Sequence, residues 1–244
     1  TRLIGEDLMK QLDEQGTLEA PIGTELPHLM WHLAQALGFK GGTVFDPAVG
    51  IGNLFGAMPP SMAFSQSPRT TLTGVSQDIV QASIANALYG WADIKQGHIT
   101  ESSDVIPQNF YDLVMSHVPW DVLGARDRAG RRTGVAAMKR GDIRDPRFAG
   151  RATERRYLHD YYLQKALDSA RPEGLVIVTM PTEFMDRQNA QARQSIAKRA
   201  RLLYAIRLPA QTLPSQDDPS PEARIEGEAV DLLVFQKASP QKPS

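Results

Sequence analysis

The sequence has no cysteine in 244 residues, which removes disulfides, thiolate nucleophiles and Cys-ligated zinc from consideration together. No apolar run approaches the roughly 20 residues of a membrane-spanning helix, and residues 1–30 lack a basic stretch followed by an apolar core. Neither membrane insertion nor export is expected, and a cytoplasmic location follows by default. The phosphate-loop pattern Gly-x-x-x-x-Gly-Lys-Ser/Thr is also missing, so Mg-nucleotide chemistry is not indicated. With 41% apolar and 23% charged residues, the chain has the composition of a globular α/β domain, and its length suffices for one full core.

Charge of one sign is lacking overall, since the formal net charge is −1. That balance conceals an asymmetry. Between Arg126 and Arg156 stand eleven Lys/Arg, among them Arg126, Arg128, Arg131, Arg132, Lys139, Arg140, Arg144 and Arg147, against four Asp/Glu. A local excess of positive charge on an otherwise acidic body is the footprint of phosphate-backbone contact, whose strength comes from counterion release. The competing reading is a solvated loop that binds nothing. DNA is the partner expected of the first reading.

What is present first is a turn. Thr43-Val-Phe-Asp46-Pro47-Ala48-Val49-Gly50-Ile51-Gly52 places an apolar strand before an acidic-Pro turn and two glycines, with a helix pattern following. Glycine allows a tight bend and close approach of a ligand, and the next helix start offers N–H groups. Strand-helix packing alone is the competing explanation for both glycines.

Short apolar runs alternate with helix-period segments, the pattern of a mainly parallel sheet with helices on both faces. Seven strands are expected, at 43–46, 71–76, 92–97, 111–116, 174–180, 202–208 and 229–236. Helices are expected at 26–37, 79–89, 157–170 and 183–200, with two more flanking the glycine turn. Leu3, Leu8, Met9 and Leu12 suggest a helical extension over 1–19, ahead of a main domain at 20–237. Within that domain, 123–154 and 211–228 read as loops, and 238–244 as a linker or tail. Thr1 without a methionine and the terminal Ser239-Pro-Gln-Lys-Pro-Ser suggest a piece of a longer polypeptide.

In a doubly wound sheet, ligands sit beyond the carboxyl ends of the strands. Those ends read Asp46-Pro47-Ala48-Val49-Gly50-Ile51-Gly52, Gly74-Val75-Ser76-Gln77-Asp78, Gln96-Gly97-His98 and Ser116-His117-Val118-Pro119-Trp120. In this order they resemble the DNA adenine-N6 methyltransferases, in particular the methylase domains at the front of methylase-helicase fusions of phages and mobile elements. Tyr157-Leu158-His159-Asp160-Tyr161-Tyr162, Arg171-Pro172-Glu173-Gly174, Ala205-Ile206-Arg207-Leu208-Pro209 and Glu228 to Val234 extend the likeness over roughly residues 20–237.

The resemblance implies a Rossmann-like S-adenosylmethionine-dependent methyltransferase fold with a seven-stranded, mainly parallel sheet. It implies that Asp46, Pro47, Ala48, Gly50 and Gly52 hold the methionine part of the cofactor. Ser76 or Asp78 would meet the ribose, and His98 would lie near the adenine ring. It further implies that His117 and Pro119 receive the exocyclic amine of a flipped adenine while Trp120 stacks on the base. No metal is implied, and a helicase in the same polypeptide is an expected partner.

Three positions depart from the family pattern. His117 stands where Asn, Asp or Ser is usual, and a neutral imidazole accepts through one nitrogen only. An alternative register makes Ser116 the acceptor. Ser76 replaces the acidic ribose ligand, with Asp78 a possible substitute, and Pro21-Ile-Gly-Thr-Glu-Leu-Pro27 replaces Thr-Pro-Pro. Two functions remain open: an active methyltransferase, or a non-catalytic DNA-binding or scaffolding domain on the same fold. Trp120 as plain core and His98 as a loop histidine are the competing readings for those residues. Methylation of a protein glutamine is a third possibility, disfavoured by the basic segment.

Overall fold

The structure, a computed structural model, describes residues 25–63, 69–97, 99, 106–119, 157–209 and 229–239. Along the chain run α1 (Glu25–Ala36), β1 (Thr43–Asp46), α2 (Asn53–Gly56), α3 (Pro60–Ala63), β2 (Thr71–Ser76), α4 (Ile79–Leu88), β3 (Asp93–Gln96) and β4 (Tyr111–His117). They are followed by α5 (Leu158–Ser169), β5 (Ala170–Pro181), α6 (Thr182–Asp186), α7 (Gln191–Ala197), β6 (Ala200–Leu208) and β7 (Val230–Lys237).

The seven strands form one sheet in the order β3-β2-β1-β4-β5-β7-β6. The first five in that order are parallel, while β7 runs antiparallel to both β5 and β6. Continuous apolar runs in β4, β5 and β7 follow from burial on both faces. Alternation sorts their side chains: Phe45, Val114, Val176, Val178 and Leu233 join α5, α6 and α7 in one core. Val44, Leu113, Met115, Ile177, Leu232 and Val234 join α1 and the residues after the glycine turn in the other.

All seven expected strands are present, with ends displaced by up to four residues. The expected helix over 183–200 is two helices. Arg187 is extended (φ −62°, ψ 139°), and Asn189 Oδ1 accepts the Gln191 N–H at 3.0 Å, which starts α7 afresh. Arg193 donates to the Phe184 and Arg187 carbonyls at 2.6 and 2.7 Å, satisfying acceptors that the break exposes. The glycine turn is followed by α2 and α3, whereas no helix lies between Ala36 and Thr43. The extension over 1–19, the segment 123–154, the loop 211–228 and most of the tail 238–244 fall outside the described residues.

Two contacts position the carboxyl edge. Trp31 Nε1 donates to the Leu54 carbonyl at 2.7 Å, fastening α1 to the segment after the glycine turn. Arg187 grips Asp160 at 2.7 and 2.8 Å and lies 4.9 Å over the Tyr157 ring, fixing the start of α5 against α6.

At the opposite edge, Asp112 joins three strands: it accepts from Thr43 N at 2.8 Å, from Thr43 Oγ1 at 2.9 Å and from Arg171 Nε at 2.5 Å. A Cβ on Gly42 would lie 2.4 Å from Asp112 Oδ2, so a bare glycine admits this approach. Burial pushes the Asp112 carboxyl upward, but Thr43 and Arg171 outweigh it and hold it below the usual value of 3.8. The stabilisation is present above that value and lost as pH falls through the lowered one. Asp112→Asn is expected to cost about 1–3 kcal/mol at pH 7 and progressively less in acid, measured by urea unfolding at both pH values.

Candidate functional site

The parallel pairing of β2, β1 and β4 brings their carboxyl ends side by side. Asp46 ends β1 and is almost wholly buried. Its Oδ1 accepts the Ala48 N–H at 2.9 Å, closing the acidic-Pro turn, and the Ser116 hydroxyl at 2.8 Å from β4. Thus one carboxyl oxygen joins the glycine turn to the β4 motif across 70 residues of chain. Desolvation is the dominant influence on this group and raises it to about 7, with the Ala48 and Ser116 hydrogen bonds opposing.

The turn itself bends through Gly50 (φ 53°) and Gly52 (φ 90°), and the Val49 N–H donates to the Val75 carbonyl at 3.0 Å, seating it on β2. The two glycines differ in what they make room for. A Cβ on Gly52 would fall 2.3 Å from Tyr89 Cε2, so internal packing accounts for that position. Among the described residues, a Cβ on Gly50 would meet only Gln81 Oε1, at 3.4 Å. Among the described residues, Gly50 therefore leaves space beside the turn, with a carboxamide from α4 at its margin. The expected helix start is a single turn of four residues, α2, and supplies no extended helix N-terminus. Pro47 is buried and Ala48 partly so.

At the end of β2, the Ser76 hydroxyl donates to the Asp78 carbonyl at 3.1 Å. Asp78 Oδ1 accepts from Val80 N at 2.7 Å and Gln81 N at 3.0 Å, capping α4. The carboxylate expected to substitute at the ribose position has one oxygen engaged in a helix cap. Gln81, three residues after that cap, is the side chain that the sequence alone did not single out. Its signal was the Asp-x-x-Gln spacing of a capping box, in which Gln is expected to fold back onto the cap.

On β4, Ser116 is fully buried and committed to Asp46, while His117 and Pro119 are only partly covered. His117 Nδ1 lies 2.7 Å from Thr179 Oγ1 on β5. Burial holds this imidazole at about 4, so it is neutral at pH 7. The structure thus gathers Asp46, Gly50, Gly52, Ser76, Asp78, Ser116 and His117 at one edge of adjacent strands. His98, Trp120 and the basic residues Arg126, Arg128, Arg131, Arg132, Lys139, Arg140, Arg144 and Arg147 lie outside the described residues. Among those described, no group of three His, Cys, Asp or Glu is arranged to hold a metal, and no helix is long and apolar enough to cross a membrane.

The raised Asp46 carboxyl has a consequence for stability. Between its unfolded value of 3.8 and about 7, the native chain holds a proton that the unfolded chain lacks. The stabilisation is complete in acid and lost as pH rises through 7, with an amplitude on the order of 4 kcal/mol. Unfolding by urea is expected to show falling stability from pH 5 to pH 8, and Asp46→Asn is expected to flatten that slope.

No family model and no curated protein matches the chain. Solved structures do. A protein of Listeria monocytogenes assigned as a class I S-adenosylmethionine-dependent methyltransferase superposes with a TM-score of 0.64 at 16% identity, over 97% of this chain and 67% of that one. The methyltransferase subunit of a type I restriction-modification system from Streptococcus thermophilus gives 0.61 at 17%, over 96% and 48%. A modification subunit assigned to a type I restriction enzyme of Vibrio vulnificus gives 0.62 at 13%, over 96% and 48%. The chain spans about half the length of these two subunits. At such identities the likeness is one of fold: a seven-stranded, mostly parallel sheet with an antiparallel seventh strand, the Rossmann-like fold of class I S-adenosylmethionine-dependent methyltransferases.

Proposed function

We propose that this chain binds S-adenosylmethionine beside the turn Asp46 to Gly52 and directs methyl transfer to the exocyclic amine of an adenine in DNA. The observation that carries the reading is the Asp46–Ser116 hydrogen bond, which holds the end of β1, where the glycine turn begins, against the β4 motif. The residues present fit such a cofactor. Gly50 leaves room at the turn, and the Ser76 hydroxyl, which donates to Asp78, retains lone pairs toward a ribose hydroxyl. When bound, the cofactor would supply an electrophilic sulfonium methyl. Transfer from such a centre depends chiefly on positioning, which the Ser116 clamp on Asp46 provides for this side of the site.

DNA as the acceptor is supported by two of the fold neighbours, which are subunits of type I restriction systems. The concentration of arginine between Arg126 and Arg147 supports it independently. In this reading His117 and Pro119 face the base edge, Trp120 stacks on the ring, and His98 lies toward the cofactor's adenine. The loop arginines hold phosphates.

A second reading, a DNA-binding or scaffolding domain without turnover, is favoured by one observation. Ser76 stands where an acidic ribose ligand is expected, and Asp78, the nearest carboxylate in sequence, has Oδ1 committed to capping α4. Tritiated methyl transfer to unmethylated DNA separates the two. The first reading expects incorporation by the native chain, and its absence together with no heat on titration with millimolar S-adenosylhomocysteine overturns it. Ser76→Glu is expected to tighten S-adenosylhomocysteine roughly tenfold, since a charge-assisted hydrogen bond contributes about 1.5–3 kcal/mol. Alanine at Arg126, Arg128, Arg131 and Arg132 is expected to weaken DNA binding and flatten its salt dependence. The log-log slope should fall by about 0.9 for each phosphate that the variant no longer neutralises.

A further inference from the structure

Gln81 is the third residue of α4 and is only 9% exposed. Its backbone N–H is held by the Asp78 cap at 3.0 Å, but its carboxamide has no hydrogen-bond partner among the described residues. The Asp-x-x-Gln spacing would form a reciprocal capping box, with Gln81 returning to the Asp78 N–H. Only the Asp78 half of that box is made. The carboxamide lies instead beside the glycine turn, with Oε1 3.4 Å from where a Cβ of Gly50 would stand. A carboxamide has two protons to donate and an oxygen that accepts, and covering one without partners is unfavourable unless the space it faces supplies them.

That space is bounded from two sides. The Val49 N–H seats the turn on the Val75 carbonyl of β2, and the Asp78 cap fixes the first turn of α4 just beyond the end of the same strand. Gln81 thus stands by the turn on the helix that leaves β2, the strand that ends in Ser76. The Ser76 hydroxyl spends its proton on the Asp78 carbonyl, so it faces a ligand as an acceptor. A carboxylate at position 76 would present two acceptor oxygens to the two hydroxyls of a ribose. Ser76 Oγ is one such acceptor, and Gln81 Oε1 is a second, supplied from α4.

We infer that Gln81 is a cofactor-binding residue whose carboxamide oxygen accepts from one ribose hydroxyl while Ser76 Oγ accepts from the other. The inference rests on the reading of the glycine turn as an S-adenosylmethionine site and deepens it. Two neutral acceptors from two elements replace one charged side chain, so the ribose contact here needs no carboxylate. Neither acceptor titrates, and the contact itself is independent of pH.

Calorimetric titration of the full chain with S-adenosylhomocysteine tests this without any turnover. Gln81→Met, which keeps the length of the side chain and removes its polar atoms, is expected to weaken binding about two- to tenfold, the share of one neutral hydrogen bond. Gln81→Glu keeps an acceptor and is expected to bind at least as tightly as the native chain. A loss in Gln81→Glu as large as that in Gln81→Met overturns the acceptor role. The ribose is identified with 2′-deoxy- and 3′-deoxy-S-adenosylhomocysteine. The Gln81→Met penalty is expected to vanish for at least one of them, the one lacking the hydroxyl that Gln81 receives, and a penalty surviving undiminished in both overturns the contact. Should the variants not fold, the native chain decides: its Gln81 side-chain amide resonances are expected to move at saturating S-adenosylhomocysteine, and fixed resonances overturn the inference. A native chain that binds while Gln81→Met binds equally well overturns this inference alone. A native chain that gives no heat overturns the proposed function and this inference with it.

Discussion

A single carboxyl oxygen governs the arrangement at the edge of this sheet. Asp46 Oδ1 receives the Ala48 N–H from its own turn and the Ser116 hydroxyl from the neighbouring strand. Both donors are neutral groups at the buried end of β1, and neither supplies the positive charge that would favour the ionised acid. That is why desolvation dominates and the group rests near neutrality. The same contact fixes where the glycine turn leaves the sheet relative to the β4 segment. Moving either would leave a buried hydroxyl or carboxyl unpaired, a cost comparable to a large fraction of a domain's net stability.

Around that contact, each strand end is closed by its own local device. The β1 turn rests on β2 through the Val49–Val75 bond, β2 is closed by Ser76 onto Asp78, and Asp78 caps α4. β4 is tied to β5 by the His117–Thr179 pair. The opposite edge is closed by Asp112 with Thr43 and Arg171. These bonds pair polar side chains at both edges, and the apolar alternation between them separates the two cores.

Much of this was legible in the sequence because its signals are local. Strands 43–46 and 71–76 are legible to the residue, the first because Val44 and Phe45 stand between Gly42 and Pro47, the second because Thr71-Leu72-Thr73 and Val75 form a short β-favouring run ahead of the helix start at Asp78. The break at Arg187 was not legible, because it depends on Asn189 starting a new helix and on Arg193 reaching back to two carbonyls. At the site, sequence order showed which strand ends would meet. It did not show what each side chain would do there. Gly52 makes room for Tyr89, Asp78 Oδ1 caps α4, and Ser116 donates to Asp46. Thr179 was invisible, since its partner lies 62 residues away and only the β4–β5 register brings them together.

If the turn and the β4 segment are one site, a ligand at the first must be felt at the second. Amide resonances of 15N-labelled protein titrated with S-adenosylhomocysteine report this directly. A joint response is expected at Val49 to Leu54, Ser76 to Asp78 and Ser116 to Val118. Shifts restricted to one strand end, or none at saturating ligand, would contradict the account.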